Sequence, residues 1–153
     1  MDWMAKPKNF LVYLGNPGIG KTFLCAALTS WALEKFQNFR YFNERQLFTK
    51  IRSSFEDVKG DYLDVLKYLV DDDLIMLDDI GSSGFTDWRK DVFFEAVDLR
   101  YNSTKPTIIT SNLSKADFYK TYHSRLTSRL FSCENTIIEL DTNEDFRQIK
   151  DMK

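Results

Sequence analysis

The chain has 153 residues, the length of one domain, with enough chain to bury a core without disulfide or metal staples. Its formal net charge of -2 lacks the basic excess of a dedicated nucleic-acid binder, and its two cysteines, Cys25 and Cys133, form no Cys-x-x-Cys, which argues against a zinc site or a disulfide framework. No stretch approaches ~18 apolar residues and the opening MDWMAKPKNF lacks a signal-peptide core, so the expectation is a soluble cytoplasmic protein with no membrane partner.

Residues 10–14 (FLVYL) are an apolar run stopped by Gly15 and predict a buried strand. Residues 21–35 are free of Gly and Pro and predict a helix. Residues 40–43 (RYFN) predict a second strand, and 44–55 a polar helix. After Gly60, an apolar stripe from Tyr62 to Val70 predicts another helix. Residues 74–77 (LIML) predict the third strand, and Asp71, Asp72 and Asp73 before it read as a solvated acidic loop. Residues 87–102 predict a long helix with an acidic N-cap. Residues 107–110 (TIIT) predict the fourth strand, 115–131 a helix, and 136–140 (TIIEL) the fifth strand. Apolar strands alternating with helices predict an α/β fold with a five-stranded parallel sheet covered on both faces. No repeat, low-complexity stretch or linker divides residues 1–153, so a single domain is expected.

The run Gly15-Asn16-Pro17-Gly18-Ile19-Gly20-Lys21-Thr22 matches GxxxxGK[ST], with a strand before it and a helix after it. The glycines let backbone N–H groups turn inward around phosphate oxygens. The helix starting at Lys21 directs its positive end at the same phosphates. Lys21 would reach the β- and γ-phosphates and the Thr22 hydroxyl would ligate Mg²⁺, with Phe23 next in the nucleotide-binding segment. The third strand runs into Asp78 and Asp79. At the carboxyl end of a strand these would hold Mg²⁺ (Asp78) and polarise the attacking water (Asp79). The fourth strand ends in Thr110-Ser111-Asn112, where Asn112 either completes a water-positioning site or sits in an ordinary turn.

The combination of GNPGIGKT, LIMLDDIG, LRYNSTKPTIITSNLS and SRLTSRL resembles the DnaC/IstB branch of AAA+ ATPases, the replicative helicase loaders and their transposition relatives. The resemblance runs from about Trp3 to Arg147. It implies an AAA+ P-loop NTPase three-layer sandwich, with the fourth strand inserted between the first and third. Asn112 is similar to the sensor-1 residue. Arg125 and Arg129 match the arginines of which one serves as an arginine finger toward a neighbouring subunit's nucleotide, with Arg129 the preferred one. Arg147 resembles a sensor-2 arginine. The implied activity is slow hydrolysis of ATP with Mg²⁺, controlling the grip on a replicative DNA helicase and single-stranded DNA. The acidic pair is Asp-Asp where most AAA+ ATPases have Asp-Glu. The N-terminal helicase-binding region and the large helical lid are expected to be absent.

A DNA-contacting strip is expected from Lys50, Arg52 and Lys59 interleaved with Phe48 and Phe55, against the alternative of a solvated helix face over core phenylalanines. His123 has no expected catalytic role, Cys25 reads as a core packing residue, and Cys133 has no evident chemistry. Three other functions stay open: a transposition helper that prefers duplex DNA, a nucleotide-dependent scaffold with little hydrolysis, and a small-molecule kinase.

Overall fold

Five strands form one sheet in the computed structural model, which describes residues 2–56 and 69–140. They are β1 (Phe10–Gly15), β2 (Phe39–Asn43), β3 (Leu74–Ile80), β4 (Thr107–Ser111) and β5 (Thr136–Leu140). Their order is β2-β3-β4-β1-β5 and every pair is parallel. The fourth strand therefore lies between the first and third, as the resemblance implied.

Successive side chains of a strand point to opposite faces, and the two faces have different coverings. Phe10, Val12 and Leu14 of β1 join Phe42, Ile75, Leu77 and Ile109 on one face. Helices α2 (Glu44–Glu56), α3 (Asp87–Asn102), α4 (Lys115–Thr121) and α5 (Ser124–Leu130) supply the partners there, among them Leu47, Phe93, Phe118 and Leu126. Leu11, Tyr13, Leu74, Met76 and Ile108 point the other way. They meet Cys25, Leu28 and Ala32 of α1 (Lys21–Lys35), and Trp3. Burial on both faces is why the strands read as continuous apolar runs rather than as alternating ones.

Several elements differ from the sequence expectation. The predicted helix 115–131 is two helices, because Tyr122 is extended (φ -111°, ψ 155°) and is held between the rings of Phe93 and Phe118. His123 occupies the N-cap position of α5, with its Nε2 3.9 Å from Asp91. The N-cap of α3 is Thr86, whose hydroxyl accepts from Arg89 N, and Asp87 lies in the first turn. β3 continues through both aspartates to Ile80, with a register shift against β4 between Leu77 and Ile80. The acidic run before β3 is not wholly solvated. Asp72 is buried and pairs with Arg40 at 2.6 Å, and Asp73 accepts from Asn38 N. Residues 69–71 are helical, whereas residues 62–68, Lys59, Arg147 and the side chain of Phe55 lie outside the described residues.

The N-terminal edge of the sheet is pinned by Arg100, which is 1% exposed. Its Nε donates to Thr107 Oγ1 at 2.9 Å and its Nη1 donates to Leu69 O and Asp72 O at 3.0 and 2.7 Å. Its Nη2 donates to Pro106 O. One guanidinium thus ties the starts of β3 and β4 to the end of α3. Burial pushes its pKa down to about 10, so it stays charged at neutral pH. Arg100→Ala would strip four acceptors of their donor. The expected cost is about 3 kcal/mol or more, read as a lower urea midpoint with unchanged m-value. A loss below about 1 kcal/mol would show that water replaces the guanidinium there.

Candidate active site

β1 delivers the chain into the phosphate-binding loop at Gly15. A Cβ at Gly15 would stand 2.3 Å from Ile19 Cδ1 and 2.8 Å from Leu140 O, so the loop closes against the end of β5 only with glycine here. Gly20 takes φ 89° as the N-cap of α1, a left-handed conformation that side chains disfavour, although a Cβ would meet nothing. No side chain caps α1, which leaves its first-turn N–H groups to the cleft in front of the loop. Lys21 is buried, and its Nζ donates to Gly15 O and Asn16 O at 2.6 and 2.8 Å.

The cleft has a volume of about 800 Å³. Lys21, Thr22, Asp78, Asp79 and Asn112 all line it, and Phe23 stands at its rim, 82% exposed. The loop, the acidic pair and the residue after the fourth strand, chosen separately from the sequence, therefore converge on one space. Asp78 is only 8% exposed. Thr110 Oγ1 donates to its Oδ1, Cys25 Sγ lies 3.1 Å from the same oxygen, and Tyr41 OH donates to Oδ2 at 2.6 Å. Burial, then the bond to Asp78, pushes the Cys25 thiol up to about 12 and raises the Tyr41 phenol above its ordinary range. Both groups are therefore protonated donors at neutral pH. Cys25 is in the core as expected, with this second task added.

Asp79 takes a left-handed backbone (φ 59°) at the irregularity in β3. Its N–H donates to Thr110 Oγ1 at 3.0 Å, and its Oδ1 accepts from Asn112 Nδ2 at 2.6 Å. Bulges of this kind re-aim side chains beside active sites. Asn112 thus meets Asp79 directly.

The sequence reading missed Glu44, which is 3% exposed at the start of α2. Its carboxylate accepts from Gly81 N at 2.9 Å, Ser82 Oγ at 3.0 Å and Ser83 N at 2.7 Å. It thereby fixes the loop that leaves Asp79. A signal was available: Asn43 and Gln46 cap each other reciprocally, Asn43 Oδ1 accepting from Gln46 N and Gln46 Oε1 from Asn43 N. That box sets Glu44 at the first turn of α2, facing the loop.

The two arginines of α5 are placed differently. Arg129 Nε lies against Asp98 Oδ1 as an ionic contact without hydrogen-bond alignment, and the guanidinium sits 5.5 Å from the Phe94 ring centre. Arg125 is exposed. In the expected DNA strip, Phe48 is buried, packed under Trp88 and Arg89, while Lys50 and Arg52 are exposed.

The Thr22 hydroxyl and the Asp78 carboxylate form an all-oxygen donor pair on one cleft. Among the described residues no group of three His, Cys, Asp or Glu forms an all-protein cage. That set fits Mg²⁺, which keeps waters and takes phosphate oxygens.

The family model described as IstB-like ATP binding protein matches residues 1–131. The chain belongs to this family. It is 24% identical over 119 residues to the replicative helicase loader DnaC of Escherichia coli (strain K12), covering 78% of this chain and 49% of DnaC. It is 29% identical over 111 residues to the replicative helicase loader DnaI of Bacillus subtilis (strain 168), covering 72% of this chain and 35% of DnaI. The crystal structure of the DnaC helicase loader superposes with a TM-score of 0.76 at 24% identity, covering 91% of this chain and 84% of that one. The fold is that of the AAA+ ATPases, as the resemblance implied. The chain spans about half the length of DnaC. Among the described residues no helix is long and apolar enough to cross a membrane.

Glu44→Ala removes three hydrogen bonds from the loop after β3. Faster amide exchange at Gly81 and Ser83, by about tenfold or more, is the expected result. Unchanged exchange there would mean that the loop holds its shape without Glu44.

Proposed function

We propose that this chain binds Mg²⁺·ATP in the cleft and hydrolyses it slowly, as the ATPase core of a DNA replication helicase loader. The observation that carries the reading is the convergence of Lys21, Thr22, Asp78, Asp79 and Asn112 on one space. The nucleotide state would control the grip on a replicative helicase and on single-stranded DNA. The names of DnaC and DnaI and the exposed Lys50 and Arg52 support that partner assignment.

Each side chain has a physical role. The loop amides and the start of α1 hold the phosphates, and the Lys21 ammonium moves from loop carbonyls to phosphate oxygens. Phe23 offers an apolar rim beside the nucleotide. Thr22 and Asp78 would hold Mg²⁺, which would supply positive charge to offset that of the phosphate oxygens. Asp79 accepts a proton from the water that attacks the γ-phosphorus, and Asn112 orients that water as the bond to the β–γ bridging oxygen breaks. The short Asp79 side chain, one of whose carboxylate oxygens accepts from Asn112, favours slow turnover.

An arginine from a neighbouring copy would complete the charge stabilisation. The sequence preferred Arg129. Its contacts with Asp98 and Phe94 favour a role in holding α5 to α3, so we assign the finger to the exposed Arg125. Arg147, outside the described residues, keeps its proposed sensor-2 role on resemblance alone. The family description supports a second reading, a transposition helper ATPase, which would prefer duplex over single-stranded DNA.

Nucleotide binding and phosphate release, with and without single-stranded or duplex DNA, test the proposal. Lys21→Ala should abolish both. Asp79→Asn should keep binding and lower hydrolysis about 100-fold. Arg125→Ala should lower kcat by ~10³ with unchanged melting temperature, and Arg129→Ala should lower the melting temperature. Wild-type protein that binds nucleotide without hydrolysis, with DNA and helicase present, would leave a scaffold. Hydrolysis indifferent to Arg125 and to DNA would point to a chain that works alone.

A further inference from the structure

Arg45 lines the same cleft as Lys21, Thr22, Asp78, Asp79 and Asn112. It is exposed, in the first turn of α2, next to the buried Glu44. Among the described residues its guanidinium meets no hydrogen-bond, ion-pair or ring partner. Arg40 and Arg129 instead lie against carboxylates, and Arg89 and Arg100 donate to carbonyls. The cleft does not lack acids for Arg45, but their oxygens are bonded elsewhere. Glu44 accepts from Gly81, Ser82 and Ser83, Asp78 from Thr110, Cys25 and Tyr41, and Asp79 from Asn112.

The position of Arg45 works against its own helix. The first turn carries the positive end of the helix dipole, where acids stabilise and cations do not. Its charge is accounted for if an anion occupies the cleft. The strand order says which end of that anion it meets. The phosphate-binding loop follows β1, whereas Asn43 at the end of β2 is in register with Asp78 of β3. With β4 and β3 lying between β1 and β2, Lys21 and Arg45 are attached on opposite sides of Asp78. A triphosphate gripped by the loop at its inner phosphates extends its outer end past Asp78 toward Arg45. The planar fork of a guanidinium matches two oxygens of one phosphate.

We propose that Arg45 contacts the γ-phosphate of ATP bound by its own chain, and so sets the preference of the cleft for ATP over ADP. The inference rests on the assignment of ATP to this cleft. It is separate from the arginine of a neighbouring copy, because Arg45 belongs to the chain that carries the loop. Its contribution to binding is therefore independent of protein concentration.

The test is calorimetric binding of a non-hydrolysable ATP analogue and of ADP, with Mg²⁺, to the full chain as wild type and as Arg45→Ala. Arg45→Ala should weaken the triphosphate by about tenfold or more and ADP by less than about twofold, the loss of charge-assisted hydrogen bonds to one phosphate. Arg45→Lys should fall between, keeping the charge without the fork. The melting temperature of Arg45→Ala should equal or exceed that of the wild type, because a cation leaves the helix start. If Arg45→Ala melts well below the wild type, Arg45→Gln, which keeps much of the side chain's length, is held to the same binding expectation. A folded variant that binds both nucleotides as the wild type does, or loses both equally, overturns this inference and leaves the proposed function standing. A wild type that binds neither nucleotide overturns the proposed function and this inference with it.

Discussion

The structure depends on keeping one carboxylate, that of Asp78, inside the sheet. A buried charge without hydrogen-bond partners costs several kcal/mol, so the fold has to bring donors to it. It does so from β4, α1 and β2 at once. The strand order follows the same need. Had β3 paired directly with β1, no Thr110 would stand beside Asp78; the residue of the first strand in register with Thr110 is Tyr13, whose hydroxyl sits at the end of a long ring and not beside the backbone. Thr110 does two things with a single oxygen. It donates to Asp78 and accepts from Asp79 N, so the two aspartates are set by one hydroxyl.

The two edges of the sheet divide the work. At the carboxyl edge, polar side chains follow the apolar centres of β1, β3 and β4, and a cleft forms where parallel strands release them. At the amino edge, Arg100 gathers carbonyls from the segments entering β3 and β4. Chemistry at the first edge needs loops that hold their shape, and rigidity at the second keeps the register that aligns them. A slip of β4 by one residue would turn Thr110 and its neighbours to the opposite face, so the anchor at Thr107 also protects the site at Asp78.

Much of this was legible in the sequence because it is local. Apolar runs ending in glycine or carboxylate mark β1 and β3, the boundaries of α3 are those its composition suggests, and the phosphate-binding loop is a contiguous motif. What escaped is set by partners distant in the chain. The break at Tyr122 depends on Phe93 of another helix, and Asp72 is buried only because Arg40 reaches it from β2. Glu44 looks like any first-turn acid until the loop at Gly81–Ser83 folds onto it. Cys25 and Tyr41 read as core and strand residues, and only the packing of α1 and β2 against β3 turns their polar atoms toward Asp78. Arg125 and Arg129 are alike in sequence. Asp98 on α3 is what distinguishes them.

The backbone at Asp79 shows why the Asp-Asp pair suits this site. A regular strand would send Asp78 and Asp79 to opposite faces, placing the second carboxylate against α2 and α3 and away from the cleft. The left-handed turn at Asp79 and the register shift before Ile80 break that alternation and bring both side chains to one space. Aspartate tolerates this conformation better than most residues, because its short polar side chain suffers little conflict with the backbone there. Asparagine would adopt the same turn but could not take a proton, and glutamate would lose some of the conformational tolerance in exchange for reach. Aspartate therefore combines backbone fit with a proton-accepting group, at the expense of length. On the proposed function, the expense would fall on the step for which reach matters, positioning of the attacking water. On the proposed function, a firmly held Asp78 carboxylate beside a short second acid would hold ATP for long periods between hydrolysis events. That balance suits a switch whose bound state does the work.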